Sequence, residues 1–228
     1  MKDSIKEYEE IIGYSFKDST LIETALTHSS YTNEHREPSA LNYERLEFLG
    51  DSILGFFTAE YLFEHEHCAE GELTRMRAAL VCEASLVTVA EELHIGDFLR
   101  IGRGEEASGG RSRKSVMADV VEATICAIYL DGGETAAREF VRKFVLTDDR
   151  VAAAAQSEDF KTTLQEYVQR DRASTLEYKL IGESGPDHHK SFEAVVLING
   201  EEAGRGQGSS KKKAEQSAAG DACHRLGV

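Results

Sequence analysis

The stretch NYERLEFLGDSILGF, residues 42–56, sets three acids, Glu44, Glu47 and Asp51, in an otherwise apolar run. On a helix that turns about 100° per residue, the three fall within roughly 60° of one another. Leu46, Leu49, Ile53 and Phe57 take the opposite face, and Phe48 and Leu54 flank the acids. The helix is therefore expected to be buried nearly all round. Carboxylates in such a setting protonate, pair with a base or bind a metal. Arg45 lies on the wrong face to serve as the base.

A second acidic pair follows far downstream. MADVVEATICAIYLD, residues 117–131, places Asp119 and Glu122 at i,i+3, on one face with Ser115 and Cys126 and opposite Val121, Ile125 and Ile128. One such pair alone usually marks a solvated helix edge. Two converging pairs in apolar helices are different: charges about 5 Å apart repel by roughly 3 kcal/mol at an effective dielectric of 20. A divalent cation removes that cost. All-oxygen ligands favour Mg²⁺ or Mn²⁺ over zinc, and such a cation activates water and stabilises a phosphoryl transition state.

The 228 residues suit one large or two ordinary domains, and the 41% apolar content is enough for real cores. No apolar run approaches the roughly 18 residues of a membrane span. The polar start MKDSIKEYEE is no targeting segment. Cys68, Cys82, Cys126 and Cys223 are scattered without CxxC spacing, which fits reduced thiols in a cytosolic protein. The net charge of −15 is unevenly spread. Residues 1–150 hold 16 basic and 29 acidic residues, a net of −13, whereas residues 151–228 hold 10 and 12, a net of −2. A local basic patch such as KKK at 211–213 can bind phosphates on an acidic chain, because salt screens charges beyond roughly 8–10 Å.

Helical periodicity runs over 3–12, 18–27, 40–63, 71–93, 114–131 and 133–145, with Gly13, Gly71, Gly96 and Gly132 near the ends. The stretch 146–159, LTDDRVAAAAQSED, lacks an amphipathic stripe and reads as a linker that is in part helical. After it come an amphipathic helix at 159–170, three strand-like stretches with turns at SGPD and NGE, and a helix at 209–226 capped by Ser209 or Ser210.

ALTHSSY (25–31), NYERLEFLGDSIL (42–54), EGELTRMRAALV (70–81) and MADVVEATICAIYLD (117–131) resemble the ordered motifs of bacterial ribonuclease III, and the likeness runs through almost the whole chain. The resemblance implies an all-α endonuclease domain over 1–147, a linker over 148–157 and an α-β-β-β-α double-stranded-RNA-binding domain over 158–228. It matches Glu47, Asp51, Asp119 and Glu122 to the family's metal-binding catalytic carboxylates, with Mg²⁺ as cofactor and Mn²⁺ as substitute. Glu44 and Glu70 match auxiliary acids near the cleft, and Phe48 matches an aromatic that packs across a homodimer interface. Cys126 stands where glycine is common. A two-fold dimer presents two sites to two antiparallel strands. The family product is a staggered cut with a two-nucleotide 3′ overhang, 5′-phosphate and 3′-hydroxyl ends, in the processing and decay of rRNA precursors and mRNA.

In the second domain the resemblance matches Lys211 and Lys212 to lysines over phosphates. It matches His188 and Lys190, with Gly185, Pro186 and Phe192, to a minor-groove loop. Thr162, Gln165 and Glu166 match positions that meet 2′-hydroxyls and base edges, contacts that read A-form shape more than sequence. Lysines at a helix N-terminus oppose the helix dipole, and a bound phosphate reverses that penalty.

Other signals carry less. GRGEEASGGRSRKS (102–115) fails the P-loop pattern, although Arg111, Arg113 or Lys114 could touch backbone phosphates. HEHC (65–68) lacks a fourth zinc ligand at the right spacing. His28 reads as a hydrogen-bonded structural histidine. The expectation is a cytoplasmic, homodimeric, metal-dependent endoribonuclease for double-stranded RNA with no membrane partner. The rival, a binding-only double-stranded-RNA regulator, predicts loss of at least one of the four acids, and all four are present.

Overall fold

The computed structural model describes residues 2–36, 41–155, 160–170, 174–185 and 190–227, and the chain forms two compact units, 1–157 and 158–228. The first is helical: α1 (Lys2–Ile12), α2 (Ser19–Ala25), α3 (Ser29–His35), α4 (Glu44–His65), α5 (Glu70–Val81), α6 (Glu83–Glu92), α7 (Ile95–Phe98), α8 (Arg103–Ala107), α9 (Lys114–Phe144) and α10 (Asp148–Ala155). The periodic run 71–93 is two helices, because Cys82 is extended (φ −70°, ψ 157°). The short α3, α7 and α8, four to seven residues each, span too few turns to leave a periodic signal. In α9 the axis breaks at Gly133 (φ 78°, ψ −173°), next to the expected break at Gly132.

The core is built on α9. From Val116 to Ile128 every residue is buried except Asp119 and Glu122, which are half-buried. Leu54 and Leu62 of α4, Leu80 of α5 and Leu86 of α6 join the same core. The segment read as linker differs from expectation over 148–155. There α10 buries Val151 and Ala154 in the first core, and Arg150 donates to Thr88 Oγ1 at 2.7 Å and pairs with Glu92 at 3.2 Å. Two small apolar residues among alanines are enough to dock a two-turn helix, a pattern too thin to register as a stripe.

Helix α4 also departs from expectation. It is not buried all round: Phe48 is 76% exposed, Phe56 58% and Phe63 77%. These rings, with Leu49, form one outward stripe beside the acids. Apolar composition alone cannot distinguish a face buried by its own chain from one left open.

The second unit contains α11 (Phe160–Gln169), β1 (Leu176–Ser184), β2 (Ser191–Ile198), β3 (Glu201–Gly208) and α12 (Lys211–Leu226). The sheet is antiparallel in the order β1-β2-β3, with irregularities between Leu180 and Gly182 and between Val196 and Leu197. Asn199 (φ 53°) and Gly200 (φ 84°) make the β2–β3 turn, the dipeptide such hairpins favour. Leu164 and Val168 of α11 and Ala194 and Val196 of β2 meet Ala214, Ala218, Ala219, Ala222 and Cys223 of α12. The glycines of EAGRGQG have a packing reason. A Cβ at Gly204, Gly206 or Gly208 would strike the α12 backbone at Ala222, Ala218 or Ala214. Among the described residues no helix is long and apolar enough to cross a membrane.

Candidate metal centre

Helices α4 and α9 cross where the acids lie. Glu47 projects from the first turns of α4, and Asp119 and Glu122 from the second and third turns of α9. One carboxylate oxygen from each of the three lies within 4.8 Å of the other two. Asp51, one turn beyond Glu47, is exposed and stands outside that set, but its charge acts on both Glu47 and Glu122. Thus three of the four acids singled out by spacing converge directly and the fourth borders them.

The residue that permits this approach is Gly50. A Cβ there would overlap the Glu122 carbonyl oxygen and lie 2.5 Å from its carbonyl carbon. The two helices therefore touch backbone to backbone between Glu47 and Asp51. Sequence reasoning passed over Gly50, although a glycine inside a helix costs about 1 kcal/mol against alanine and so signals a packing need. Tyr43 was missed as well: its hydroxyl donates to Asp119 Oδ2 at 3.3 Å. Glu83, at the start of α6, adds a further negative charge that acts on Asp119.

The electrostatics are unfavourable for the chain by itself. Burial, then the charges of Asp51, Glu47 and Asp119, push the Glu122 carboxyl up to about 8. Burial and the neighbouring acids also raise Glu47. Asp119 is raised mainly by burial, against the lowering effects of Tyr43 and His28. Of the charges named as acting on the three, His28 on Asp119 is basic and the others are carboxylates. Carboxylate oxygens clustered this closely fit a hard divalent cation. An all-carboxylate donor set suits zinc less, since its sites are built mainly on histidine nitrogen and cysteine sulfur.

The remaining candidates lie elsewhere. Glu44 is exposed at the start of α4, and its charge raises Glu47 and Asp119. Glu70 is exposed in the first turn of α5, accepts from the Thr74 hydroxyl at 3.0 Å and does not join the cluster. Arg111 is committed internally, donating to the carbonyls of Gly96 and Leu99 and pairing with Glu106, and Arg113 pairs with Glu105. These arginines brace their own loop. His65 stacks on Tyr61, and among the described residues HEHC forms no metal-binding group.

In the second unit Thr162, Gln165 and Glu166 are exposed on α11. Lys211 and Lys212 are exposed in the first turn of α12, whose cap Ser210 accepts from the Lys213 amide at 3.2 Å. Lys190 pairs with Glu183 at 2.8 Å, and Lys211 also acts on Glu183, so the two lysines bracket one end of β1. His188 and Pro186 fall outside the described residues.

Comparison with known proteins identifies the family of each unit. A family model described as Ribonuclease-III-like matches residues 18–149, and one described as a double-stranded RNA binding motif matches residues 160–226. A ribonuclease 3 of Listeria monocytogenes serotype 4a (strain HCC23) is 47% identical over 222 residues, 97% of each chain. Another, of Anoxybacillus flavithermus (strain DSM 21510 / WK1), is 50% identical over 94% of this chain and 90% of its own. The solved nuclease domain of a ribonuclease III from Campylobacter jejuni, described for flexibility in a region involved in dimer formation, is 39% identical with a TM-score of 0.57, covering 62% of this chain and 95% of that one. The chain belongs to the ribonuclease III family of double-stranded-RNA endoribonucleases.

The acid cluster has a pH signature. Folded Glu122 holds its proton up to about pH 8, whereas an unfolded glutamate releases it near 4.5. The folded state binds more protons in that window, so without metal its stability falls as pH rises from about 4.5 to 8 and levels off above. In EDTA, denaturant titrations across that window are expected to show a shallower decline for Glu122→Gln than for the parent chain. Identical slopes would contradict the coupling.

Proposed function

We propose that the acid cluster is the metal-dependent catalytic centre of an endoribonuclease that hydrolyses both strands of duplex RNA. The observation that carries this reading is the convergence of Glu47, Asp119 and Glu122 within 4.8 Å, among charges that are carboxylates except for His28 beside Asp119. These three residues would hold the cation, with Asp51, whose charge acts on Glu47 and Glu122, as the fourth ligand. When bound, Mg²⁺ or Mn²⁺ neutralises charge on the phosphoryl transition state and acidifies water. A bound cation would favour the ionised form of Glu122, which burial pushes up to about 8. Water attacks phosphorus and gives up a proton to solvent, the P–O3′ bond breaks and O3′ takes a proton from solvent, leaving 5′-phosphate and 3′-hydroxyl ends. Glu44 and Glu70 act as auxiliary acids at the margin.

The catalytic form is a homodimer with two sites, which gives staggered cuts. Its support is the open stripe of Phe48, Phe56 and Phe63 on α4, beside a 240 Å³ pocket lined by Ser52, Ile53, Phe56, Phe57, Tyr129 and Glu134. An exposed aromatic row of this kind marks an association surface. The region involved in dimer formation described for the Campylobacter nuclease domain adds to that support. RNA is held through Thr162, Gln165, Glu166, His188, Lys190, Lys211 and Lys212, with Lys211 and Lys212 on phosphates. Cytoplasmic processing of rRNA precursors and mRNA is the physiological role this reading favours.

Glu122→Gln keeps the side-chain size and removes one charge. It should abolish cleavage of a long perfect duplex in Mg²⁺ while duplex binding persists, and near-normal cutting would remove the assignment. Phe48→Ala should weaken dimerisation by about 3–5 kcal/mol, the cost of deleting a buried phenyl ring. Sedimentation at sub-micromolar concentration tests this, and an unchanged mass would count against the interface. Replacing both Lys211 and Lys212 with alanine should lower the salt slope of duplex binding by about two units, one per lost phosphate contact. Cleavage should recover in part at low salt; a folded dimer that stays inactive at every salt concentration would refute the split between affinity and chemistry.

A further inference from the structure

We propose that Tyr43 is a positioning residue for Asp119, held in place by the THSSY segment, and that its hydroxyl sets the metal affinity of the cluster. The inference rests on the metal-site reading above. Tyr43 is 5% exposed and touches both acid-bearing helices. Its carbonyl accepts the Glu47 amide at 2.8 Å, closing the first turn of α4, and its hydroxyl reaches Asp119 Oδ2 on α9 at 3.3 Å. Its own amide donates to Thr27 O at 2.9 Å.

The ring has a backing of its own. The His28 ring meets it edge to face, with centroids 5.7 Å apart. His28 is fixed in turn: Nδ1 accepts the Ser30 amide at 3.0 Å and lies 2.7 Å from the Ser30 hydroxyl oxygen, which accepts the Gly102 amide at 2.9 Å. The His28 amide donates to Arg100 O at 2.9 Å. The ALTHSSY segment, which contributes no ligand, thereby gains a task. It braces a tyrosine whose one free function is to donate to Asp119.

The chemical consequence is orientation. A carboxylate among like charges turns away from them unless something holds it. A hydroxyl donor on one oxygen fixes its plane and leaves the other oxygen for a cation. Partners of this kind, one step removed from the metal, typically carry about tenfold or more in metal affinity. Tyr43→Phe keeps the ring, its burial and its contact with His28, and removes only the donor.

The test is Mn²⁺ binding to the full-length chain without RNA, followed by the paramagnetic resonance signal of free Mn²⁺. Thermal unfolding in EDTA and cleavage rate against Mn²⁺ are measured alongside, with Glu122→Gln as reference. Tyr43→Phe is expected to unfold at the parent temperature and to bind Mn²⁺ about tenfold more weakly. It should regain the parent kcat at saturating Mn²⁺, with the KM for duplex RNA unchanged. Unchanged Mn²⁺ affinity in Tyr43→Phe, with binding lost in Glu122→Gln, overturns the role of Tyr43 and leaves the metal site standing. A lowered unfolding temperature with a reduced rate at every Mn²⁺ concentration also overturns it, because the hydroxyl would then serve the fold. Parent-like Mn²⁺ binding in Glu122→Gln overturns the metal site, and this proposal with it.

Discussion

At Gly50 the backbone of α4 meets the backbone of α9 at Glu122, with no side chain between them. A methyl group in that gap would push the helices apart, and Glu47 would move away from Asp119 and Glu122. The spacing of the site is therefore set by atoms that carry no function themselves. Because α9 is buried from Val116 to Ile128, it cannot shift to accommodate a change on α4. A densely packed interior transmits such strain rather than absorbing it.

That rigidity holds together a cluster that opposes itself. Burial raises Glu47, Asp119 and Glu122, and neighbouring acids add to it, Asp51 and Asp119 on both Glu47 and Glu122 and Glu83 and Glu44 on Asp119, so without metal the cluster is a cost carried by the surrounding apolar core. A group of like charges held close by packing is poised for a cation, and binding then releases protons and relieves repulsion in one event. The same helix presents its acids on one side and Phe48, Phe56 and Phe63 on another. On this account α4 couples association to chemistry, with neighbouring faces serving a second chain and the substrate.

Much of this was legible in the residues. Period-3.6 patterning located the long helices, and the order of helix and strands after residue 158 gave the second unit. The i,i+4 and i,i+3 acids in apolar helices pointed to one centre. Three things were hidden for physical reasons. Hydrophobicity did not reveal that Phe48 faces outward, because an exposed apolar face has core composition, and only the family resemblance set Phe48 at an interface. The docking of α10 rests on Val151 and Ala154, which a run of alanines disguises. Tyr43 acts through geometry between segments distant in sequence, and single-residue spacing does not encode that geometry, whereas His28 is the hydrogen-bonded structural histidine the sequence indicated.

Anomalous diffraction from Mn²⁺-soaked crystals of the unmodified chain tests the central claim most directly. The account predicts an anomalous peak among the carboxylate oxygens of Glu47, Asp119 and Glu122, with Asp51 turned toward it. Well-ordered carboxylates with no peak between them at millimolar Mn²⁺, or a peak only on other surface acids, would contradict it.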